Sequence, residues 1–128
     1  MIVADTHAWV WFASSPDRLS PVARRAIDEA DRIGVSPISC WEVATLVRKG
    51  RLALDRDVLL WTRQALALPR IELLPISPQV AVTAAEFDDE FPGDPADRLI
   101  AATALAFHSV LLTKDRRLGR TRRVSCLW

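Results

Sequence analysis

The sequence predicts a single three-layer α/β/α domain, residues 1–128, with helices on both faces of a central parallel sheet. Short, continuously apolar segments alternate with longer helical segments along the whole chain, and such strands are typical of a parallel sheet that is buried on both faces. A length of 128 residues suits one domain. Neither an internal repeat nor a low-complexity tract divides the chain.

Five segments are predicted to be strands. They are residues 1–4, 33–36, 71–76, 110–113 and 124–127. Pro75 lacks a backbone N–H, so the third strand is expected at an edge of the sheet.

Six helices and one short helical turn are predicted between the strands. They are residues 6–13, 20–32, 39–49, 57–68, 77–87 and 95–108, with the turn at 116–119. A capping residue followed by proline is a helix start signal. It occurs at Ser20-Pro21, Ser77-Pro78 and Asp94-Pro95, and Gly50 closes the third helix.

Composition narrows the class of protein. Half of the residues are apolar, which is enough for a hydrophobic core. The net charge is only +1, so it does not indicate a preference for charged partners. Cys40 and Cys126 form neither a disulfide framework nor a C-x-x-C zinc pair. The N-terminus is interrupted by Asp5 and does not read as a signal peptide, and no apolar run reaches the roughly 20 residues of a membrane span. We therefore expect a cytoplasmic protein.

Four carboxylates lie where strands end or helices begin. Asp5 ends the first strand and Asp115 follows the fourth, so both are expected at the carboxyl edge of the sheet, where such folds bind ligands. Glu42 and Asp97 are predicted in the first turns of two helices that open onto the same edge. Four acids from distant parts of the chain are thus predicted to converge.

Converging carboxylates require positive charge or protonation. Two like charges about 4 Å apart repel by about 4 kcal/mol at an effective dielectric near 20. Oxygen ligands without histidine or cysteine favour Mg²⁺ or Mn²⁺ over zinc.

Structural roles stay open for three of the acids. Glu42 completes a capping box with Ser39. Asp97 suits a helix N-terminus, and Asp115 can cap the turn that follows it.

Four short segments resemble the PIN-domain ribonucleases, and more narrowly the VapC toxins of type II toxin–antitoxin pairs. The segments are residues 2–9 (IVADTHAW), 39–44 (SCWEVA), 94–103 (DPADRLIAAT) and 112–115 (LTKD), in the family's order. The resemblance implies a PIN-like three-layer fold and Mg²⁺- or Mn²⁺-dependent endoribonuclease activity, with transfer RNA among the substrates. It also implies a homodimer and a cognate VapB-like antitoxin. By position, Asp5, Glu42, Asp97 and Asp115 match the family's four acids.

Three further residues are predicted to support the site. Thr113 matches a supporting polar residue of the family and is expected to bond Asp5 or Asp115. His7 is expected beside Asp5, as a base, an RNA contact or a packed side chain. Arg98 follows Asp97 and is expected to contact phosphate, brace a carboxylate or pair with Asp94.

Two sets of residues are predicted to contact partners. A basic stretch beside Asp115 is expected to guide the RNA backbone toward the metal; it includes Lys114, Arg116, Arg117 and Arg120. Five helical residues are expected to line an apolar groove for the antitoxin: Trp41, Trp61, Val43, Leu46 and Val47.

Two other functions compete with the nuclease. One is a phosphotransfer receiver, which also uses strand-end aspartates with a threonine and a lysine, but Thr6 stands where a receiver has a second acid. The other is a catalytically inactive PIN-like module that only grips RNA or protein. A serine hydrolase and a P-loop enzyme are disfavoured because neither G-x-S-x-G nor a P-loop motif occurs.

Overall fold

All five strands of the sheet are parallel, as their apolar sequences predict. The computed structural model describes residues 1–128. The strands are β1 (Ile2–Ala4), β2 (Ile33–Val35), β3 (Ile71–Leu73), β4 (Val110–Leu112) and β5 (Cys126–Leu127). Their order is β3-β2-β1-β4-β5, so β3 is an edge strand as expected. It ends at Leu73, before Pro75.

Seven α-helices connect the strands, at the places where the sequence predicts helical segments. They are α1 (Thr6–Ser14), α2 (Pro21–Glu29), α3 (Pro37–Arg48), α4 (Val58–Leu66), α5 (Pro78–Glu86), α6 (Pro95–Ala106) and α7 (Arg116–Gly119). A 3₁₀ turn, Pro16–Arg18, follows α1. The capping residues Ser20, Ser77 and Asp94 each accept a hydrogen bond from the first turn of their helix, which confirms those start signals.

The predicted start of α3 was wrong. Ser36 caps this helix and Pro37 is its first residue, so Ser39 lies inside it. Glu42 therefore belongs to the second turn and closes no capping box with Ser39. Ser36 accepts a hydrogen bond from Ile38 N, and the apolar β2 ends one residue earlier.

Two apolar cores lie on opposite faces of the sheet, which confirms the three-layer architecture. Successive strand residues point to opposite faces. Val3 and Leu111 belong to the core beneath α5 and α6, whereas Ala4 and Leu112 belong to the core beneath α1, α2 and α4. None of the helices combines the length and apolar character that crossing a membrane requires.

The strand order creates a switch point beside β1. The chain passes from β1 to β2 and β3 on one side, then returns to pair β4 with the other side of β1. Ligands of open parallel sheets bind in the crevice beyond the strand ends at such a point. Ala4 pairs with Leu112, so the residues that follow β1 and β4 emerge side by side.

Candidate active site

The ends of β1 and β4 bring together Asp5 and Thr113. Thr113 Oγ1 donates a hydrogen bond of 2.5 Å to Asp5 Oδ2, and Asp5 Oδ1 accepts a second bond of 2.9 Å from Ala8 N. The Asp115 amide donates to the same threonine hydroxyl at 3.1 Å. The predicted contact of Thr113 with Asp5 is present, and Asp5 also caps α1.

A buried threonine that the sequence reasoning missed holds Glu42. Thr6 Oγ1 lies 2.5 Å from Glu42 Oε1 and 2.9 Å from Ser39 Oγ. A hydroxyl has only one proton to donate. Thr6 therefore donates its hydrogen bond to the Glu42 carboxylate and accepts one from the Ser39 hydroxyl. Thr6 is 3% exposed and Ser39 is fully buried. The position of Thr6 directly after Asp5, on the same helix start, was the signal in the sequence.

Asp94 is a fifth carboxylate at the site and was expected only as a helix cap. Its Oδ1 accepts hydrogen bonds from Ala96 N at 2.8 Å and Asp97 N at 3.3 Å. Asp94 also lines the same cavity as Asp97, which lies three residues later, in the first turn of α6. The i, i+3 spacing of Asp94 and Asp97 at a helix start was the available signal.

One cavity of about 710 Å³ lies at the switch point and unites the predicted acids. Five carboxylates line it: Asp5, Glu42, Asp94, Asp97 and Asp115. No group of three or more His, Cys, Asp or Glu side chains has the arrangement of a preformed metal site. We call this space the acid cavity.

Arg117 supplies positive charge inside the acid cavity. Its Nη2 lies 2.6 Å from Asp115 Oδ2 and 3.8 Å from Asp97 Oδ2. The Arg117 side chain remains 64% exposed, so the guanidinium reaches the acids from the rim. The hydrogen bond from Arg117 lowers the pKa of Asp115 below its usual range.

Burial disfavours the ionised form of three other acids, Asp5, Glu42 and Asp97. Burial raises the pKa of Asp97 to about 7, and repulsion from Asp94 and Glu42 adds to the effect. Burial also raises the pKa of Asp5 and of Glu42, against the opposing hydrogen bonds from Thr113 and Thr6. Such shifts cluster at functional sites because burial there is used to adjust charge.

Comparison with known proteins agrees with this geometry. The family model described as "PIN domain" matches residues 2–124. The chain belongs to the PIN domain family. A sequence relative, ribonuclease VapC22 of Mycobacterium tuberculosis, is 43% identical over 121 residues, which are 94% of this chain and 92% of the relative. A phosphotransfer receiver is therefore no longer a candidate.

Solved structures share the PIN-domain fold at low identity. VapBC2 of Rickettsia felis, bound to a promoter DNA fragment, has a TM-score of 0.72 and 19% identity, covering 99% of this chain and 98% of that chain. DNA-bound VapBC of Salmonella typhimurium has a TM-score of 0.71 and 19% identity, with the same coverage of both chains. A toxin–antitoxin complex of Klebsiella pneumoniae has a TM-score of 0.66 and 18% identity, covering 97% and 95%.

Arg98 in this PIN domain reaches neither a carboxylate nor the acid cavity. Its guanidinium donates hydrogen bonds to five backbone carbonyls: those of Pro92, Ala84, Phe87, Asp88 and Phe91. The prediction that Arg98 supports the acids or pairs with Asp94 was wrong, because the loop after α5 surrounds the side chain. Arg98 instead fixes that loop against α6.

His7 and the predicted RNA contacts occupy different surroundings. His7 is exposed, lines the acid cavity and places its ring 5.6 Å from the Trp11 ring. Lys114 and Arg117 line the same cavity. Arg116 and Arg120 line neighbouring cavities on other sides of α7. Of the four predicted RNA contacts, Lys114 and Arg117 thus lie on the acid cavity itself.

The predicted antitoxin groove does not exist as one surface. Val43 is fully buried and Trp61 is only 4% exposed, both in the core beneath α1 and α4. Leu46 lines the acid cavity, whereas Trp41 is 61% exposed. Val47 is partly buried. The five predicted residues come from several faces of α3 and α4, and only the structure separates those faces.

Proposed function

We propose that this PIN domain is a Mg²⁺- or Mn²⁺-dependent endoribonuclease that acts as the toxin of a type II toxin–antitoxin pair. The proposal rests on the joint lining of one cavity by Asp5, Glu42, Asp97 and Asp115. The 43% identity to a ribonuclease supports RNA as the substrate. Transfer RNA is the first substrate to test. Its cleavage would inhibit translation until an antitoxin neutralises the enzyme in the cytoplasm.

The residues present fit a divalent cation. The acid cavity offers carboxylate oxygens, the donors that Mg²⁺ and Mn²⁺ prefer. Burial raises the pKa of Asp5, Glu42 and Asp97, and repulsion among the acids adds to this, so a cation among them would favour their ionised forms. Asp5 and Asp97 would be the ligands of the cation, and Glu42 and Asp115 would support its binding. When bound, the cation supplies activation of water and neutralisation of the phosphate.

The chain's own residues hold the acids in place. Thr113 fixes the rotamer of Asp5, and Thr6 fixes that of Glu42. Arg117 compensates Asp115 and keeps it ionised. Hydrogen bonds of this kind orient metal ligands, and their loss commonly weakens metal binding by about 10- to 100-fold.

A cleavage assay tests the proposal directly. End-labelled transfer RNA is incubated with wild-type protein in Mg²⁺ or Mn²⁺, with EDTA as the control. We expect defined fragments that disappear with EDTA and with Asp5→Asn, whose circular dichroism should match the wild type. Cleavage that persists in EDTA or in Asp5→Asn contradicts the assignment. RNA binding without cleavage supports the inactive module.

We also propose a cognate VapB-like antitoxin as a partner and a homodimer as the toxin's state. The solved relatives described as VapBC or toxin–antitoxin complexes support such a partner. Trp41, which is 61% exposed on α3, is the best placed of the predicted contact residues. Antitoxin binding should change tryptophan fluorescence in the wild type and less so in Trp41→Phe. An equal change in both proteins removes Trp41 from the interface.

A further inference from the structure

Three cations on the wall of the acid cavity pair with no carboxylate. Arg18, Arg51 and Lys114 line the cavity together with its five acids. The six ion pairs of the chain involve other residues. Arg117, by contrast, is committed to Asp115 and Asp97. The cavity therefore holds basic groups whose charge is available to a ligand.

Trp11 holds two of these cations. Arg18 Cζ lies 4.8 Å from the centroid of the Trp11 ring, and Lys114 Nζ lies 5.7 Å from it. These distances allow the aromatic face to attract each cation. Arg18 comes from the 3₁₀ turn after α1 and Lys114 follows β4, so the indole joins two distant segments.

The Trp11 ring is itself fixed by aromatic neighbours. The rings of His7 and Trp128 each lie 5.6 Å from it, at interplanar angles of 54° and 60°. Tilted and edge-to-face contacts at this distance are favourable. The indole is partly buried, whereas Arg18 and Lys114 are exposed. A fixed ring thus presents two exposed cations at the mouth of the acid cavity.

We propose that Arg18 and Lys114, held over Trp11, form a subsite for an RNA phosphate next to the cleaved bond. The proposal rests on the function proposed above and adds residues that bind the substrate. Five carboxylates repel a polyanion, so RNA needs positive charge at the same opening. The Arg18 guanidinium makes no ion pair and lies over the indole, so its N–H groups remain available for two hydrogen bonds to one phosphate.

A single-stranded RNA is the occupant that this subsite fits best. The subsite lines the same cavity as the acids, so an RNA strand whose phosphate binds there can place its next phosphate beside the acids. A second cleft of about 430 Å³, lined in part by α1 and α4, adjoins the acid cavity and shares Trp11 and Arg18 with it. Lys114 lines the acid cavity and not this second cleft, so the two cations occur together only on the side that holds the acids, where the ligand is the RNA to be cleaved.

Binding measurements test the subsite without cleavage. Fluorescence anisotropy follows a short labelled oligouridine RNA on Asp5→Asn protein in Mg²⁺ over a range of KCl concentrations. In that background, Arg18→Gln and Lys114→Gln should each weaken binding roughly three- to tenfold and reduce the salt slope by about 0.7. Arg25→Gln is the matched control, because Arg25 is exposed on α2 and lies outside the acid cavity. It should change neither quantity.

Trp11→Leu tests whether the indole organises both cations. It should weaken binding as much as either cation variant, and adding Arg18→Gln should cost little more. Trp11→Phe keeps an aromatic face and replaces the leucine variant in this test if that variant does not fold.

In active protein, Arg18→Gln should raise KM with kcat nearly unchanged. The subsite is overturned if the salt slope is unaltered in both cation variants. It is also overturned if these variants bind the antitoxin more weakly than the wild type but bind RNA normally. Failure of the wild type to cleave RNA would refute only the nuclease proposal.

Discussion

The hydroxyl of Thr113 donates a 2.5 Å hydrogen bond to Asp5 Oδ2 and joins residues 108 positions apart. With Ala8 N on its other oxygen, the Asp5 carboxylate is held in one orientation from two sides. Because Asp5 is proposed as a metal ligand, the strength of metal binding should depend on a side chain that touches no metal.

Thr113→Val should weaken Mn²⁺ binding by about 10- to 100-fold and lower cleavage to match. The valine keeps the shape of the side chain but removes the donor. Calorimetric titration with Mn²⁺ measures the affinity in the absence of RNA. Thr83→Val, a partly buried position on α5, is the control and should bind Mn²⁺ normally. Equal affinity in the two variants would mean that the Asp5 contact has no role in metal binding.

Thr6→Val should impair the site through Glu42. Its hydroxyl lowers the pKa of Glu42 by donating to the carboxylate, so removing it should raise that pKa further. Thr6→Ser retains the hydroxyl and is the matched control. We expect the valine variant to shift the pH profile of cleavage toward higher pH, while the serine variant follows the wild type. The same profile in both variants would count against a positioning role for Thr6.

Asp97→Asn should stabilise the metal-free protein at high pH. The pKa of Asp97 is raised from 3.8 to about 7 in the folded chain, so the folded state binds its proton more tightly than the unfolded state. The ionised group therefore destabilises the fold increasingly as pH rises from about 4 to 7, by up to about 4 kcal/mol.

Thermal melts in EDTA at pH 5 and pH 8 measure this effect. The asparagine variant should melt higher than the wild type at pH 8, with a smaller difference at pH 5. Adding Mg²⁺ should stabilise the wild type and reverse the order, because the cation replaces the missing charge. An asparagine variant that melts lower than the wild type in EDTA at pH 8 would disprove the crowding of these acids.

Arg98→Lys should destabilise the fold by about 1–3 kcal/mol, because several of the five carbonyls lose their donor. Urea unfolding measures the loss. Arg63→Lys, at an exposed position on α4, provides the control. Cleavage per folded molecule should remain close to wild type, because Arg98 lies outside the acid cavity. A large loss of activity in folded protein would restore Arg98 to the site.

Gly34→Ala should destabilise the sheet by about 1–3 kcal/mol through overpacking. A Cβ at this position of β2 would overlap Leu74 Cδ1 and lie 3.5 Å from Val3 Cγ2. Leu74→Ala alone leaves a void, but it should recover stability when combined with Gly34→Ala. A double variant no more stable than Gly34→Ala would place the conflict elsewhere.

The layers of the fold and the cavity that unites the acids were predictable, because each depends on local pattern. Continuous apolar runs predict parallel strands, and Asp5 and Asp115 each follow such a run. Residues at the carboxyl ends of parallel strands must meet at one edge. The placement of these side chains on one cavity therefore needed no knowledge of long-range packing.

Other features depend on contacts that the sequence does not reveal. Ser36-Pro37 carries the same start signal as the other helices, yet Ser39 and Glu42 also satisfy a capping box. Only the burial of Ser39 beside Thr6 separates the two possibilities. Trp41 and Trp61 look alike in sequence, but one is exposed and the other belongs to the core. Tertiary packing, which decides such cases, is not encoded in local periodicity.

The long separation between Asp5 and Thr113 also has a consequence for synthesis in the cell. β1 is translated first but pairs with β4. Thr113, whose hydroxyl binds the Asp5 carboxylate, is translated more than a hundred residues after Asp5. Parallel pairing of segments so far apart in the sequence is intrinsically slow. Until β4 and the residues after it have been synthesised, the nascent chain lacks Thr113 and Asp115 and has no complete acid cavity. The parallel topology thus makes completion of the acid cavity depend on synthesis of β4 and the residues that follow it.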